Sequence, residues 1–261
     1  MVQDLFKTVA EHDGVAPINE SGSLVIEGKR PGHVYDRGCA GAVADLRDGT
    51  IMLAVHPDRR RQGLGTAMLR QVLAEHPDLT VWAFGSLKGS AKLARKLGLE
   101  PLRTLLRMER PLTDDDLVDD ELTPFTSADA DQIVAINAAA FAHHPEQGKL
   151  TREEFDDLTS QPWFSADGLR VAREDGEPIG FHWTKQQGDG LGEVYVLAVH
   201  PSHEGRGHGR KLLAAGLSHL RRVGNDRVEL YVEASETRVV SMYEAAGFEI
   251  VARDTSYGRT A

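Results

Sequence analysis

The chemistry open to this chain of 261 residues rests on a glycine-rich basic turn, a carboxylate heading an apolar run, and a tyrosine on a helix-like segment. The turn reads Glu204-Gly205-Arg206-Gly207-His208-Gly209-Arg210-Lys211 and follows the β-rich stretch 193–199. Glycines let backbone N–H groups converge without Cβ interference, and a helix beginning at the turn adds partial positive charge. Together these form an anion cradle suited to phosphates, to which Arg206, Arg210 and Lys211 add formal charge. The spacing is not the Gly-x-x-x-x-Gly-Lys-Ser/Thr of nucleoside-triphosphate loops. Nor is it Gly-x-Gly-x-x-Gly after a first strand with an acid about 20 residues on, as dinucleotide binding requires. The histidines at 200, 203 and 208 suit neither one helix face nor a zinc ligand set, so no metal is expected. Strand alternation predicts Glu193, Tyr195 and Leu197 on one face. An acid at the head of an apolar strand is costly unless it is used or paired, as base, substrate contact or strand-end ion partner. Tyr243 follows Val239 by one helical turn and is either a core aromatic or a usable hydroxyl.

The elements that must hold these residues occur twice. Leu-Ala-Val-His-Pro stands at 53–57 and again at 197–201, each time running into a charged, glycine-bearing turn. The first turn, Arg60-Arg61-Gln62-Gly63-Leu64-Gly65, satisfies the pattern Gln/Arg-x-x-Gly-x-Gly/Ala outright. Each half also closes on a helix and Gly-Leu/Phe-Glu, at Gly98 and Gly247. In the later half, periodicity predicts helices over 128–141, 151–160, 207–222 and 236–246, and strands over 169–173, 178–184, 193–199 and 227–233. The earlier half repeats this order in trimmed form. The expected fold is α/β, two tandem domains, each a mixed central sheet flanked by helices. The expected boundaries are 1–110 and 125–261, joined by an acidic, proline-bracketed linker at 111–124 that charge runs usually leave solvated. In the first copy Gly49 stands where Glu193 does in the second, and Ala94 where Tyr243 does. That copy keeps the loop, lacks both proton-handling groups, and is expected not to turn over.

The loop after its Leu-Ala-Val-His-Pro strand, followed by strand, helix and Gly-Phe-Glu, resembles the GCN5-related N-acetyltransferases (GNATs), which grip coenzyme A there. The resemblance implies acetyl-CoA as co-substrate. Acetyl transfer from a thioester needs an amine freed of its proton, a donor to the oxyanion, and a proton for the departing thiolate. A free α-amine has a pKa of roughly 7.7 to 8.0, so a nearby base helps at neutral pH. By this resemblance Glu193 is the base, Tyr243 faces the departing sulfur, and the N–H groups of Leu197 and Val199 meet the oxyanion and the pantetheine. Coenzyme contact is implied for Ala198, Glu204, Gly205, Arg206, Gly207, His208, Gly209 and Arg210, and for Glu236, Thr237, Arg238, Val239, Val240 and Ser241. In the first copy it is implied for Leu53, Ala54, Val55, Arg60, Arg61, Gln62, Gly63, Leu64 and Gly65. Glu204 and Glu236 depart from the family, which has Gln or Arg and commonly Asn at those places.

Four strings carry a closer resemblance: residues 137–148, Gly180-Phe181-His182-Trp183-Thr184-Lys185, residues 190–197, and Leu230-Tyr231-Val232-Glu233. They are similar to the mycothiol synthase family, a tandem branch of the GNATs. That likeness implies a small-molecule acceptor, the cysteinyl amine of a glucosaminyl-inositol conjugate, held by Glu20, Glu146, Lys185, Glu193 and Tyr231. On sequence grounds alone Glu20 could be solvated, Glu146 and Lys185 could pair with each other, and Tyr231 could be core.

The bulk properties agree. A formal charge of −10 argues against a nucleic-acid partner. Cys39 is the only cysteine, reads as a small strand residue, and permits no internal disulfide. The first residues carry acids and no apolar core of a signal peptide, and no run suits a membrane span, so a cytoplasmic monomer is expected. Two rival readings stay open: a tandem acetyltransferase for another amine, such as an aminoglycoside or a protein N-terminus, and a non-catalytic coenzyme A sensor.

Overall fold

The computed structural model describes residues 1–142 and 147–259. The chain forms two compact units. The first comprises Met1–Arg107, Val232–Thr237 and the stretch from Ile250 onward; the second comprises Met108–Tyr231 and Arg238–Glu249.

In the first unit, helices α1 (Val2–Asp13) and α2 (Glu20–Ile26) precede strands β1 (Gly32–Asp36), β2 (Ala40–Asp45) and β3 (Thr50–Val55). Helix α3 (Leu64–Glu75), strand β4 (Thr80–Ala83), helix α4 (Ser90–Lys96) and strand β5 (Glu100–Pro111) follow. Helix α1 buries Val2, Leu5, Phe6 and Val9, an i, i+3, i+4, i+7 stripe, against Val43 and Ala54 of the sheet. It stops at Gly14, whose φ of 69° lets its N–H reach the Ala10 carbonyl at 2.9 Å. The opposite face of the sheet packs Ala42, Ile51 and Val81 on Met68, Leu69 and Val72 of α3. Strand order in this unit is β1-β2-β3-β4-β11-β5, where β11 is Glu249–Gly258.

The second unit contains β6 (Thr123–Pro124), α5 (Ala130–Ala140), α6 (Arg152–Thr159), β7 (Leu169–Glu174) and β8 (Glu177–Gly188). Then come β9 (Leu191–Val199), α7 (His208–Arg222), β10 (Arg227–Glu233) and α8 (Thr237–Ala245). Its strand order is β10-β9-β8-β7-β6, with β9 and β10 parallel and β7, β8 and β9 antiparallel. Helix α6 opens on the expected capping box, Thr151 with Glu154. Asp175 and Gly176 both take positive φ, 52° and 87°, as the tight turn between β7 and β8 demands.

Two expectations are corrected. The acidic stretch 111–124 is not a solvated linker. Leu112 is buried, Asp116 takes two hydrogen bonds from Arg110 at 2.7 and 2.9 Å, and Asp120 pairs with Arg170 at 2.8 Å. Asp114 pairs with Arg221 of α7, and the Val118 N–H donates to Ser218 of the same helix. Three of its six acids, Asp114, Asp116 and Asp120, have cationic partners inside the second unit, which a charge count cannot show. The second correction concerns the chain's end. Strand β11 pairs Thr255, Ser256 and Tyr257 with Ala83, Trp82 and Val81 of β4, so the last strand belongs to the first unit.

Candidate active site

Strand β9 carries Glu193, and a β-bulge decides where it points. Trp183 pairs with Val196 and Thr184 with Val194, leaving Tyr195 as the extra residue. Past the bulge, Leu197 and Val199 pack on Leu212 of α7, while Val196 and Ala198 join Ile133, Phe155 and Trp183 on the α5–α6 side. Before it the parity is reversed. A Cβ on Gly192 would lie 2.7 Å from Leu220 of α7, so Gly192 faces α7 and Glu193 the α5–α6 side. The expected common face of Glu193, Tyr195 and Leu197 therefore fails at Leu197, because alternation does not survive an inserted residue.

The first copy has no such break. β2 and β3 pair continuously from Ala40 with Val55 to Asp45 with Thr50, and Ile51, Leu53 and Val55 all face α3. Gly49 sits in the turn before β3 with φ 66°, and Ala94 is buried on α4. The first copy thus lacks the carboxylate, the phenol and the bulge together.

Lys185, Glu229, Gln187 and Tyr195 gather around Glu193. Lys185 is its cross-strand partner on β8 and Glu229 its partner on β10. Gln187 donates a side-chain hydrogen bond to Glu193 Oε2. The Lys185 ammonium lies over the rings of Trp163 and Tyr195, 4.8 and 5.4 Å from their centres, a cation–π arrangement. Burial raises the Glu193 pKa above the usual carboxylate value; the Gln187 bond and the Lys185 charge oppose the rise, and Glu229 adds to it. The same burial pushes up the Tyr195 phenol, with Glu193 contributing. A cavity beside this group is lined by Tyr195, Val196, Trp183, Asn137, Glu154 and Asp157.

Tyr243 is buried on α8 and meets the Phe248 ring edge-on at 5.6 Å. Burial alone drives its pKa far above the ordinary phenol value, so the hydroxyl keeps its proton at neutral pH. Tyr231 is 46% exposed on β10 and is not a core aromatic. Glu20 is exposed at the first turn of α2, behind the Asn19 cap. Glu146 lies outside the described residues. Gln187, Trp163 and Glu229 were not anticipated. Lys185 and Gln187 sit two apart on one strand, a signal for a shared face; Trp163 has no local signature.

The two glycine turns have the same backbone. Glu204 and Arg60 sit at φ, ψ of −65°, 161° and −67°, 162°, each after a 3-10 turn opened by Pro201 or Pro57. Gly205 and Arg61 follow at φ 75° and 64°, then Gly207 and Gly63 at 87° and 84°, each capping its helix. Their side chains differ. Arg60 turns inward, donating to the Val55 carbonyl at 3.1 Å and to both oxygens of Asp13 at 2.9 and 2.6 Å. Glu204 can make no such bonds, having no donor. Arg206 lies 3.6 Å from Glu174, which also meets His203 at 2.9 Å. His200 and His203 both hydrogen-bond the Ser202 hydroxyl, at 2.7 and 2.8 Å, and so brace the turn. Glu236, Thr237 and Arg238 are exposed at the start of α8, with Val239 and Val240 half-buried behind them and Ser241 exposed.

The comparisons bear on the fold and the family. The profile described as "Acetyltransferase (GNAT) family" matches residues 130–248, and an "Acetyltransferase (GNAT) domain" profile matches residues 19–99. A "Mycothiol acetyltransferase" of Propionibacterium freudenreichii is 43% identical over 98% of this chain and 87% of its own length. One of Streptomyces coelicolor is 39% identical over 97% of this chain and 89% of its own. Among solved structures, a GCN5-related N-acetyltransferase from Sphaerobacter thermophilus has a TM-score of 0.70 at 21% identity, covering 98% of this chain and 90% of that one. A tandem GNAT protein from the clavulanic acid biosynthesis pathway has a TM-score of 0.63 at 19% identity, covering 97% and 92%. With a duplicated acetyltransferase fold and relatives this similar along nearly its whole length, the chain belongs to the mycothiol acetyltransferase family of tandem GNAT enzymes.

Proposed function

We infer that the chain transfers acetyl from acetyl-CoA to the cysteinyl amine of desacetylmycothiol, the 2-(L-cysteinylamino)-2-deoxy-glucopyranoside of 1D-myo-inositol, giving mycothiol and free CoA. The observation that carries the reading is the Glu193 carboxylate, turned by the Tyr195 bulge to the α5–α6 side of the sheet, where Lys185 and Gln187 meet it. Glu193, directly or through a water, takes the ammonium proton, and the freed amine attacks the thioester carbonyl. Backbone N–H groups at Leu197 and Val199 receive the oxyanion. The carbon–sulfur bond then breaks, and Tyr243, protonated at rest, gives its hydrogen to the departing thiolate. Glu20, Glu146, Lys185 and Tyr231 hold the hydroxyl-rich acceptor.

The coenzyme fits the turn before α7. Positive φ at Gly205 and Gly207 aims successive N–H groups outward, and the helix start supplies the dipole. Residues 204–210 hold its pyrophosphate, with residues 236–241 beside it. In the first copy residues 53–55 and 60–65 form the matching cradle, and the missing carboxylate and phenol leave that copy without turnover.

Acetylated product should be measured with acetyl-CoA and either cysteinyl-glucosaminyl-inositol or an aminoglycoside. Product from the first acceptor alone is expected; product from the aminoglycoside alone, or from neither, overturns the reading. Replacing Glu193 by Gln should lower kcat by about 10²- to 10⁴-fold and leave the coenzyme Kd unchanged. A variant as fast as the parent at every pH removes Glu193 from the role of base.

A further inference from the structure

We propose that Gln187 is a positioning residue for acetyl transfer: its side-chain amide holds one oxygen of the Glu193 carboxylate and leaves the other to receive the amine's proton. The inference rests on Glu193 being the base. Strand β8 ends irregularly. Gln186 pairs with Gly192 and Gly188 with Leu191, so Gln187 is an extra residue opposite β9, free of the ladder's spacing. From there it reaches Glu193 Oε2. An ionised carboxylate only accepts, so the amide must present its nitrogen, and a hydrogen bond to a charged acceptor is stronger than a neutral one.

Lys185 also favours the ionised acid through its charge, and Gln187 adds a directed hydrogen bond to it. On β8, Lys185 directs its ammonium onto the rings of Trp163 and Tyr195. On β10, Glu229 sits opposite Glu193 and, like burial, favours the protonated acid. On β9 itself the Tyr195 phenol is neutral. Gln187 therefore both orients the carboxyl and helps keep it ionised against burial and a second acid.

The test compares pH profiles of kcat/KM for the acceptor in the full chain, the parent against Gln187→Met, which keeps the side chain's length and removes the donor. The acceptor's own ammonium titrates identically for both enzymes, so a displaced acid limb belongs to the protein. The expected result is a roughly tenfold loss at the acid end, shrinking to little as pH rises, with the coenzyme Kd unchanged. Gln187→Glu, of the same shape but with an added negative charge, should displace the limb further in the same direction. An acid limb at the parent's position, or an equal loss at every pH, overturns the proposal. Glu193→Gln is measured in parallel. Normal turnover there defeats the base assignment itself, whereas impaired turnover there with an undisplaced Gln187→Met profile defeats the role of Gln187 alone.

Discussion

His182 shows how a residue legible in the sequence can carry a role the sequence hides. It lies in the string Gly180-Phe181-His182-Trp183-Thr184-Lys185 beside Lys185, yet it is fully buried, paired with Leu197 on the α7 side of the sheet. Its Nδ1 stands 2.8 Å from the Leu212 carbonyl, which can only accept, so Nδ1 carries the hydrogen and Nε2 has no partner among the described residues. Gly216 makes the room: a Cβ there would lie 1.9 Å from the ring. Burial lowers the pKa from 6.5 to about 4, with the Leu212 bond opposing and nearby His219 assisting. The folded state thus binds fewer protons than the unfolded chain between those values. The stability this contributes is present above pH 6.5 and is lost as pH falls toward 4, roughly 3 kcal/mol in all. Urea unfolding at pH 7 and pH 4.5 should show a smaller acid loss in His182→Gln than in the parent; equal losses place the effect elsewhere. At this scale Glu193 and Tyr243 could be singled out as candidates from residue type and spacing, and Lys185 from the family resemblance. Gln187 and Trp163 could not, because their importance lies in contacts across a hairpin and from a loop before β7.

Among elements, helices and strands of the second half fell close to their predicted places because apolar period, caps and turns agreed. The strand 227–233 coincides with β10, and the helix 207–222 begins one residue later as α7. What periodicity cannot contain is an inserted residue. Counting by twos back from Leu197 would drive Glu193 toward α7, against Leu220 and away from Gln187 and Lys185. The bulge at Tyr195 turns it the other way, and β3 in the first copy has neither bulge nor acid. Deleting Tyr195 should close the break in pairing between Trp183 and Thr184 and swing the carboxyl into the α7 interface. The expected outcome is loss of detectable turnover together with destabilisation on the order of 3 kcal/mol from an unpaired buried charge. Product formation with acetyl-CoA and denaturant midpoints check both. A folded deletion variant that still acetylates shows that the bulge does not aim the base.

Over the whole molecule, the duplication was legible because both halves keep the same loop and closing motif, but the partition of the chain was not. Sequence order suggests that residues 1–110 form a domain complete in itself. The sheet of the first unit instead takes β11 between β4 and β5, a neighbour supplied by the far end of the chain. Tyr257 enters the core with Ile51, Met68 and Val81, and the Asp254 carboxylate accepts the Gly85 N–H at 2.7 Å. Removing β11 strips pairing partners from β4 and takes that tyrosine out of the core, where its burial contributes on the order of 2 kcal/mol before any backbone bond is counted. A domain of this size has a margin of about 5–15 kcal/mol, which the loss of a central strand exceeds once its ladder is included. A fragment of residues 1–110 should therefore lack a cooperative thermal transition and show no protected amides in β4, and a peptide of residues 249–259 added in trans should restore protection at Val81 and Trp82. A fragment that unfolds cooperatively without the peptide would mean that β11 joins the first unit's sheet without being needed to build it.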